Sequence, residues 1–213
     1  MKKWLSAAAV VVAIGIGTLY YYFFSAMSAD GTTQYVYIDD DDNIDSVLTK
    51  VSAVSNAHAM SAYTLLAKHS TYAEHVRTGR YAINGNNGAL VTFRHMKNGL
   101  QTPVNLTVPS VRTTDRLAAE LSKKLMLDSA AISHALKDEA VCQKYGYDTA
   151  TIACMFIPNT YDIYWNTSID HLFERMQKES KRFWNAERTK KAADMKLSPV
   201  QVITLASIID EET

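Results

Sequence analysis

The chain has 213 residues, of which 47% are hydrophobic and 21% charged, the composition of a folded globular protein rather than of a disordered one. Its 22 Lys and Arg balance its 22 Asp and Glu, so the formal net charge at pH 7 is zero. Because nucleic acid is usually bound by a basic patch or stripe, we expect no nucleic-acid partner.

The N-terminal segment is apolar enough to cross a membrane. The pair Lys2-Lys3 is followed by the charge-free run WLSAAAVVVAIGIGTLYYYFF at residues 4–24. At about 1.5 Å per helical residue, this run matches the roughly 30 Å hydrocarbon core of a bilayer. The two lysines predict a cytoplasmic N-terminus, which in a bacterium means an inner-membrane anchor with the bulk of the chain in the periplasm. The rival interpretation is a cleaved signal peptide, since SAMSAD at 25–30 offers small residues, although the apolar run is longer than usual for one.

The next segment predicts a small unit of two strands and two helices. The stretch QYVYI at 34–38 alternates as a strand, apolar residues recur at helical spacing from Ile44, a second helix falls within 57–70, and TGRYAINGN at 78–86 contains another strand. Strand, helix, helix, strand is the layout of a LysM-type module, a small fold that binds glycan chains. We therefore predict a LysM-like βααβ subdomain over residues 30–100.

Several polar residues raise the question of a metal site. Four acids, DDDD at 39–42, precede Asn43 but lack the alternation, Gly and distal Glu of a calcium loop, so we expect a solvated turn in which Asp42 or Asn43 caps the next helix. Cys142 and Cys154 could form a disulfide in an oxidising compartment, but two independent buried thiols are favoured. No metal or cofactor is predicted.

The second half predicts further helices and two strands. PVNLTVP at 103–109 reads as a strand, a helix follows that is capped by Thr113 or Thr114, and one long helix is expected from Ser168 to about Ala193.

Aromatic and amide side chains alternate in CMFIPNTYDIYWNTS at 154–168. Rings that stack on sugars and amides that bind hydroxyls are typical of a sugar groove, which makes Asn159, Tyr161 and Tyr164 candidate substrate-binding residues. The alternative is a packed strand and turn that bury the same rings.

The last helix ends in three acids. In LSPVQ, Ser198 is placed to cap the helix, Pro199 to occupy its first position and Gln201 to complete a capping box. The helical register then puts Glu211 on a polar stripe, while Glu212 and Asp210 both follow apolar rows. A desolvated carboxyl has a raised pKa and suits a general acid, so periodicity leaves Glu212 and Asp210 as candidates, with a fraying acidic end as the alternative.

Four stretches carry a family resemblance: GRYAI at 79–83, FIPNTYDIYWNTS at 156–168, FWN at 183–185 and LSPVQVITLASIIDEET at 197–213. With them the chain resembles the YceG/MltG family of endolytic murein transglycosylases. The resemblance implies an α+β fold with an anchor at 1–29, a LysM-like subdomain at 30–100 and the first part of a catalytic domain at 101–213. It also implies that Glu212, immediately before Thr213, is the catalytic acid, which sets Asp210 aside.

The resemblance further implies a chemistry. Such enzymes cleave the bond between MurNAc and GlcNAc in peptidoglycan and leave a 1,6-anhydroMurNAc end, without a cofactor, and peptidoglycan synthases are possible partners. Because relatives continue well beyond the motif, we expect the 213-residue chain to be a truncated product that is inactive by itself. The competing hypothesis is a membrane-anchored module that binds peptidoglycan as a scaffold without catalysis.

Overall fold

The protein combines helices with two small sheets. The computed structural model describes residues 2–211, which divide into an N-terminal unit up to Thr102 and a C-terminal unit from Pro103. The N-terminal unit contains α1 (Lys2–Phe24), β1 (Gln34–Ile38), α2 (Ile44–Ser52), α3 (Ala57–Lys68), a 3-10 turn (Thr71–Ala73), β2 (Gly79–Ile83) and α4 (Ala89–Asn98). The C-terminal unit contains β3 (Val104–Val108), α5 (Thr114–Ser122), α6 (Ser129–Lys137), α7 (Glu139–Lys144), a 3-10 turn (Ile152–Met155), β4 (Asn159–Ile163), α8 (Ile169–Phe183), α9 (Ala186–Asp194) and α10 (Pro199–Glu211).

Helix α1 has the length and the apolar surface expected of a membrane span. Within residues 2–211, Ser6–Phe24 is the single helix that meets both criteria, with a mean hydropathy of 1.8. Helices α9 and α10 meet them only when taken together, and the chain bends by 77° between them. The predicted helix is confirmed, and its apolar side chains are exposed over most of its length.

The N-terminal unit is built on one antiparallel pair of strands. β1 and β2 pair so that Val36 lies opposite Tyr81 and Ile38 opposite Gly79. Side chains at alternate positions of both strands are buried, as period-two alternation requires when only one face of a sheet is covered. Helices α2, α3 and α4 supply the other side of this core. Its largest fully buried side chains include Tyr63, Tyr72, Tyr81, Met96, Ile38 and Ile83.

The helix boundaries of this unit follow from local capping. Asn43 begins α2, because its side-chain oxygen accepts hydrogen bonds from the backbone N–H groups of Asp45 and Ser46. Gly99 ends α4 in the left-handed conformation at φ 69°, which glycine adopts without steric cost. The sequence predicted the first of these boundaries, with Asp42 or Asn43 as the cap, and Asn43 is the residue found there.

The C-terminal unit repeats the arrangement with different elements. β3 and β4 are antiparallel, with Leu106 opposite Tyr161 and Thr107 opposite Thr160. The buried face of the pair is covered by helices that surround Leu106 and Phe173, both fully buried. Its core also contains Leu117, Leu121, Ile132, Leu136, Met155, Leu172 and Met176.

The long helix expected from Ser168 to Ala193 is two helices. Helix α8 ends at Phe183, and α9 begins after Asn185, whose side-chain oxygen accepts a hydrogen bond from the backbone N–H of Arg188 at 2.9 Å. Trp184 at φ −80° and ψ 60° has left the helical conformation. The prediction of one continuous helix was therefore wrong, because Asn185 caps a new helix in the middle of a pattern that could have continued.

Helix α10 begins as the sequence predicted. The backbone N–H of Ser198 donates to Gln201 Oε1 at 2.8 Å, and the backbone N–H of Gln201 donates to Ser198 Oγ at 3.3 Å. These reciprocal bonds form the expected capping box, with Pro199 at the first position of the helix.

We expect Leu106→Ala to destabilise the C-terminal unit by about 2–5 kcal/mol, because the side chain is fully buried and its removal leaves a cavity. Urea unfolding of the detergent-solubilised Trp4→Phe chain, in which only Trp165 and Trp184 fluoresce as tryptophans, measures the change. The exposed strand neighbour Asn105→Ala is the control, and it should change the free energy of unfolding by less than about 0.5 kcal/mol. Equal effects of the two substitutions would contradict the burial of β3.

Candidate functional site

Helix α10 leads directly to the predicted catalytic residue. Glu212 and Thr213 themselves lie outside the described residues. The stripe that was expected to desolvate Glu212 is exposed in the described part of the helix: Leu205, Ile208 and Ile209 retain 46%, 54% and 67% of their accessible surface. The catalytic role of Glu212 stays a prediction.

The three candidate substrate-binding residues lie on or next to β4 but do not share one face. Asn159 begins the strand with its side chain exposed, and Tyr164 follows the strand with 55% of its surface exposed. Tyr161 lies on the same side of the strand as Asn159, but at its position the core covers that side. Tyr161 is 6% exposed, and its hydroxyl donates a hydrogen bond to the carbonyl of Ile157 at 2.7 Å. Asn159 and Tyr164 are thus available to a ligand of the C-terminal unit, whereas Tyr161 holds β4 on the core.

The exposed face of the β3 and β4 pair is polar. Thr107 Oγ1 lies 3.0 Å from Thr160 Oγ1 across the strands, and Asn105 lies opposite Asp162. These four side chains are exposed and stand on the face away from the core. The face offers hydroxyl, amide and carboxylate groups beside Asn159. Sequence reasoning missed it, although the polar positions of VNLTV and NTYDI alternate with the apolar ones.

The N-terminal unit carries a polar cleft of about 550 Å³. It opens between the turn that joins β1 to α2 and the segment that leads into β2. Arg77 is held at its edge, since its Nε donates to the carbonyl of Lys97 at 2.8 Å. The lining residues are Asp42, Asn43, Ala73, Glu74, His75, Val76 and Arg77. This cleft could not be predicted from the sequence, because residues 73–77 have no periodic pattern and meet Asp42 and Asn43 only through the fold.

The acidic run at this cleft is organised by one lysine. Lys50 Nζ lies 2.7 Å from Asp39 Oδ2 and also pairs with Asp42, whose side chain is only 7% exposed. Burial acts to raise the pKa of Asp42, but the hydrogen bond from Lys50 and the backbone N–H of Asp39 outweigh it, and the pKa lies below its ordinary value. Thr78 Oγ1 donates to Asp40 at 2.9 Å from the other side of the turn. The expectation of a solvated turn was therefore wrong for Asp42, which is part of an ion pair that shapes the cleft.

No group of three His, Cys, Asp or Glu side chains within residues 2–211 is arranged to hold a metal ion. Both cysteines are free thiols, Cys142 buried and Cys154 half-buried. Burial raises the pKa of each thiol, so neither is poised as a nucleophile.

Comparison with known proteins identifies a family. The model of the YceG-like family matches residues 36–213. Among solved structures, a match is found to a crystal structure of a Listeria monocytogenes protein described only as yceG-like, with 16% identity and a TM-score of 0.41. The match covers 78% of this chain and 60% of that protein, so this chain spans less than two thirds of its length. No curated protein matches the chain.

We expect Lys50→Met to lower the free energy of unfolding of the N-terminal unit at neutral pH by roughly 1–3 kcal/mol, because it leaves the buried Asp42 carboxylate without its partner. The pKa of Asp42 is lowered and that of Lys50 is raised in the folded protein. The stabilisation is therefore present between about pH 4 and pH 10, and it is lost as the pH falls through the pKa of Asp42 or rises through that of Lys50.

Unfolding of the detergent-solubilised chain across this pH range, followed by circular dichroism, measures the effect of Lys50→Met. Lys68→Met is the matched control, since Lys68 and Asp45 are 3.9 Å apart and both more than half exposed. A Lys50→Met deficit that persists unchanged at pH 2 would show that the packing of the lysine stem, and not its charge, stabilises the turn.

Proposed function

The chain belongs to the YceG-like family, and on that premise we propose that it is a membrane-anchored endolytic transglycosylase that cleaves the glycan strands of peptidoglycan. The observation that carries the proposal is the family match over residues 36–213, which includes the motif LASIIDEET at 205–213. The reaction breaks the bond between MurNAc and GlcNAc and leaves a 1,6-anhydroMurNAc end. Such cleavage serves the synthesis and remodelling of the bacterial cell wall, and peptidoglycan synthases are the proposed protein partners.

The proposed anchor is α1, retained rather than removed as a signal peptide. Its length supports a single pass through the inner membrane with the N-terminus in the cytoplasm and the two units in the periplasm. The small residues at 25–30 that could be a cleavage site are part of the folded N-terminal unit: Met27 is fully buried and Ser28 is 1% exposed. Cleavage after Ser28 would remove the Met27 side chain from the core, and this favours retention of α1 as an anchor.

The proposed glycan-binding element is the segment from β1 to β2. Its order of strand, helix, helix and strand, with the strands antiparallel, supports a LysM-like assignment. The polar cleft at one end of this segment has the groups that sugar hydroxyls need, since Asn43, His75 and Arg77 between them offer donors and acceptors. We propose that a glycan strand lies in this cleft.

The proposed catalytic residue is Glu212, acting as both acid and base. Most glycosidases need two carboxylates, because one must attack or activate water. Here the substrate would supply its own nucleophile. The Glu212 carboxyl gives its proton to the glycosidic oxygen, and the carboxylate then accepts the proton of the MurNAc C6 hydroxyl as that oxygen bonds to C1. No second carboxylate and no metal is required.

The proposed substrate contacts in the C-terminal unit come from β4. Asn159 and Tyr164 are exposed and offer an amide and a ring, the pair of groups suited to a sugar hydroxyl and a pyranose face. Tyr161, proposed from the motif together with them, would act by fixing the strand, since its hydroxyl is already bonded to Ile157.

We expect Glu212→Gln to abolish release of anhydro-muropeptides from purified sacculi by the complete gene product, because glutamine can neither give nor take the proton. General acid and base catalysis contributes about 10²–10⁴-fold to a rate, so the cleavage rate of the Glu212→Gln variant should be lower than that of the wild type by at least that factor. Mass spectrometry of the soluble products is the measurement. Glu211→Gln, one position earlier on the stripe that the sequence predicts to be polar, is the matched control and should retain activity. Full activity of Glu212→Gln would refute the mechanism.

The competing function is a scaffold that binds peptidoglycan without cutting it, and the cleft of the N-terminal unit is the observation that favours it. We expect His75→Ala to weaken binding of the protein to insoluble peptidoglycan, because the imidazole lines the cleft. His69→Ala is the matched control, since His69 is exposed but does not line the cleft. Co-sedimentation measures binding. The scaffold would be favoured by two results together. Binding to peptidoglycan would depend on His75, and neither the wild type nor the Glu212→Gln variant would release cleavage products.

A further inference from the structure

The end of α1 is joined without a flexible linker to residues 25–102, the part of the N-terminal unit that folds around β1 and β2. Tyr21 stacks on the His58 ring with centroids 4.5 Å apart, and His58 Nε2 lies 2.7 Å from Ser25 Oγ. Phe23 packs against the core of the unit. Gly88, at the start of α4, is so close to α1 that a Cβ there would lie 2.6 Å from the carbonyl oxygen of Phe23. Helix α1 therefore docks on both α3 and α4.

The residues that follow α1 are bonded into the same unit. The backbone N–H of Met27 donates to the carbonyl of Asn87 at 2.9 Å, and the backbone N–H of Asn56 donates to the carbonyl of Met27 at 2.9 Å. The Asn56 side chain donates to the carbonyls of Ala26 at 3.0 Å and Ser28 at 2.7 Å. These bonds and the burial of Met27 leave no free segment that could act as a hinge.

The unit has two ends, and the elements run between them. We call one of them the junction end: there the segment after α1 contacts the end of α2, the start of α3 and the turn at 84–88 that follows β2. One of these contacts is the hydrogen bond from the backbone N–H of Ala29 to the carbonyl of Val54. At the cleft end lie the turn after β1 and the segment before β2. β1 has 5 residues and α3 has 12, so the two ends are about 16–18 Å apart.

The depth of the junction end follows from the aromatic residues of α1. Tyr and Trp near the end of a membrane span lie at the level of the lipid headgroups. Tyr21 and Tyr22 occupy that position in α1, and both rings contact His58, Tyr21 by stacking and Tyr22 edge-on at 6.4 Å. A side chain in contact with interfacial tyrosines must itself lie close to the headgroups.

We infer that the N-terminal unit uses the phospholipid surface as a docking partner: its junction end rests on the headgroup layer, and α1 with the unit forms one rigid piece. The inference rests on the proposed membrane anchoring by α1. The cleft is consequently held at a fixed spacing from the bilayer, at most about 16–18 Å beyond the headgroup level, and a ligand must come within that distance to be bound.

Spin labels at four single cysteines test the inference in the complete chain, reconstituted in nanodiscs of phosphatidylethanolamine and phosphatidylglycerol. The background is Cys154→Ser, because Cys142 is buried and will not label. Val12→Cys reports the anchor, Ala57→Cys and Asn86→Cys report the junction end, and Asp41→Cys reports the cleft end, all four positions being exposed on the unit or on α1. The measurement is the accessibility of each label to oxygen, which partitions into lipid, and to a water-soluble nickel complex.

We expect Val12 to be accessible to oxygen and protected from nickel, Asp41 to be fully accessible to nickel, and Ala57 and Asn86 to be several-fold less accessible to nickel than Asp41. Nickel access at Ala57 and Asn86 equal to that at Asp41, with Val12 protected, would overturn the docking while leaving the anchor intact. Nickel access at Val12 would overturn the anchor itself.

A second variant tests the rigidity. Insertion of a six-residue Gly-Ser segment between Phe24 and Ser25 separates α1 from the unit, and circular dichroism checks that the unit still folds. We expect the labels at Ala57 and Asn86 to become as accessible to nickel as the label at Asp41. Protection that survives the insertion would mean that the unit binds lipid without the junction, which would overturn the fixed spacing.

Discussion

Each unit depends on a single two-stranded sheet, and a two-stranded sheet is not stable in water unless one of its faces is covered. The cover is provided by helices, which is why both units place apolar residues at alternate strand positions and an apolar stripe on the helices that pack there. In the N-terminal unit the buried Tyr81 meets a layer that contains Tyr63 and Met96, and the Tyr63 hydroxyl donates to Met96 Sδ at 3.1 Å. Buried tyrosines of this kind fill volume and still need a partner for their hydroxyls.

The same constraint separates the candidate binding surface of each unit from its core. Only the uncovered face of a strand pair, or the turns at its ends, can meet a ligand. In the C-terminal unit this leaves Thr160 and Asp162 on the open side of β4 and Tyr161 on the covered side, where Asn159 is exposed only at the start of the strand. In the N-terminal unit it leaves the cleft at the ends of the strands, shaped by the ion pair of Lys50 with Asp39 and Asp42.

Much of the fold could be predicted because it is encoded over a few residues. The strand at 34–38, the Asn43 cap and the capping box of Ser198 and Gln201 depend only on near neighbours, and all are found. The break at Asn185 was missed because an asparagine in a charged helical pattern can either continue the helix or cap a new one at similar energy, and tertiary packing chooses between them.

The candidate site was harder to predict. Motif proximity grouped Asn159 with Tyr161, and the period of two does put both on the same side of β4, but only tertiary packing decides that Tyr161 is covered while Asn159 at the strand start is exposed. The cleft at 73–77 depends on Asp42 and Asn43, which lie about 30–35 positions away along the chain.

The hydrogen bonds of Asn56 and the burial of Met27 have a practical consequence for making the protein without its apolar helix. A soluble form that begins at the first strand, Gln34, would leave the space of Met27 empty and deprive the Asn56 amide of both its acceptors. A form that begins at Ser25 keeps the side chain, the two carbonyls and the bond from Ala29 to Val54. The first residue chosen for a recombinant protein therefore determines whether its core is intact, because the folded unit begins before its first strand.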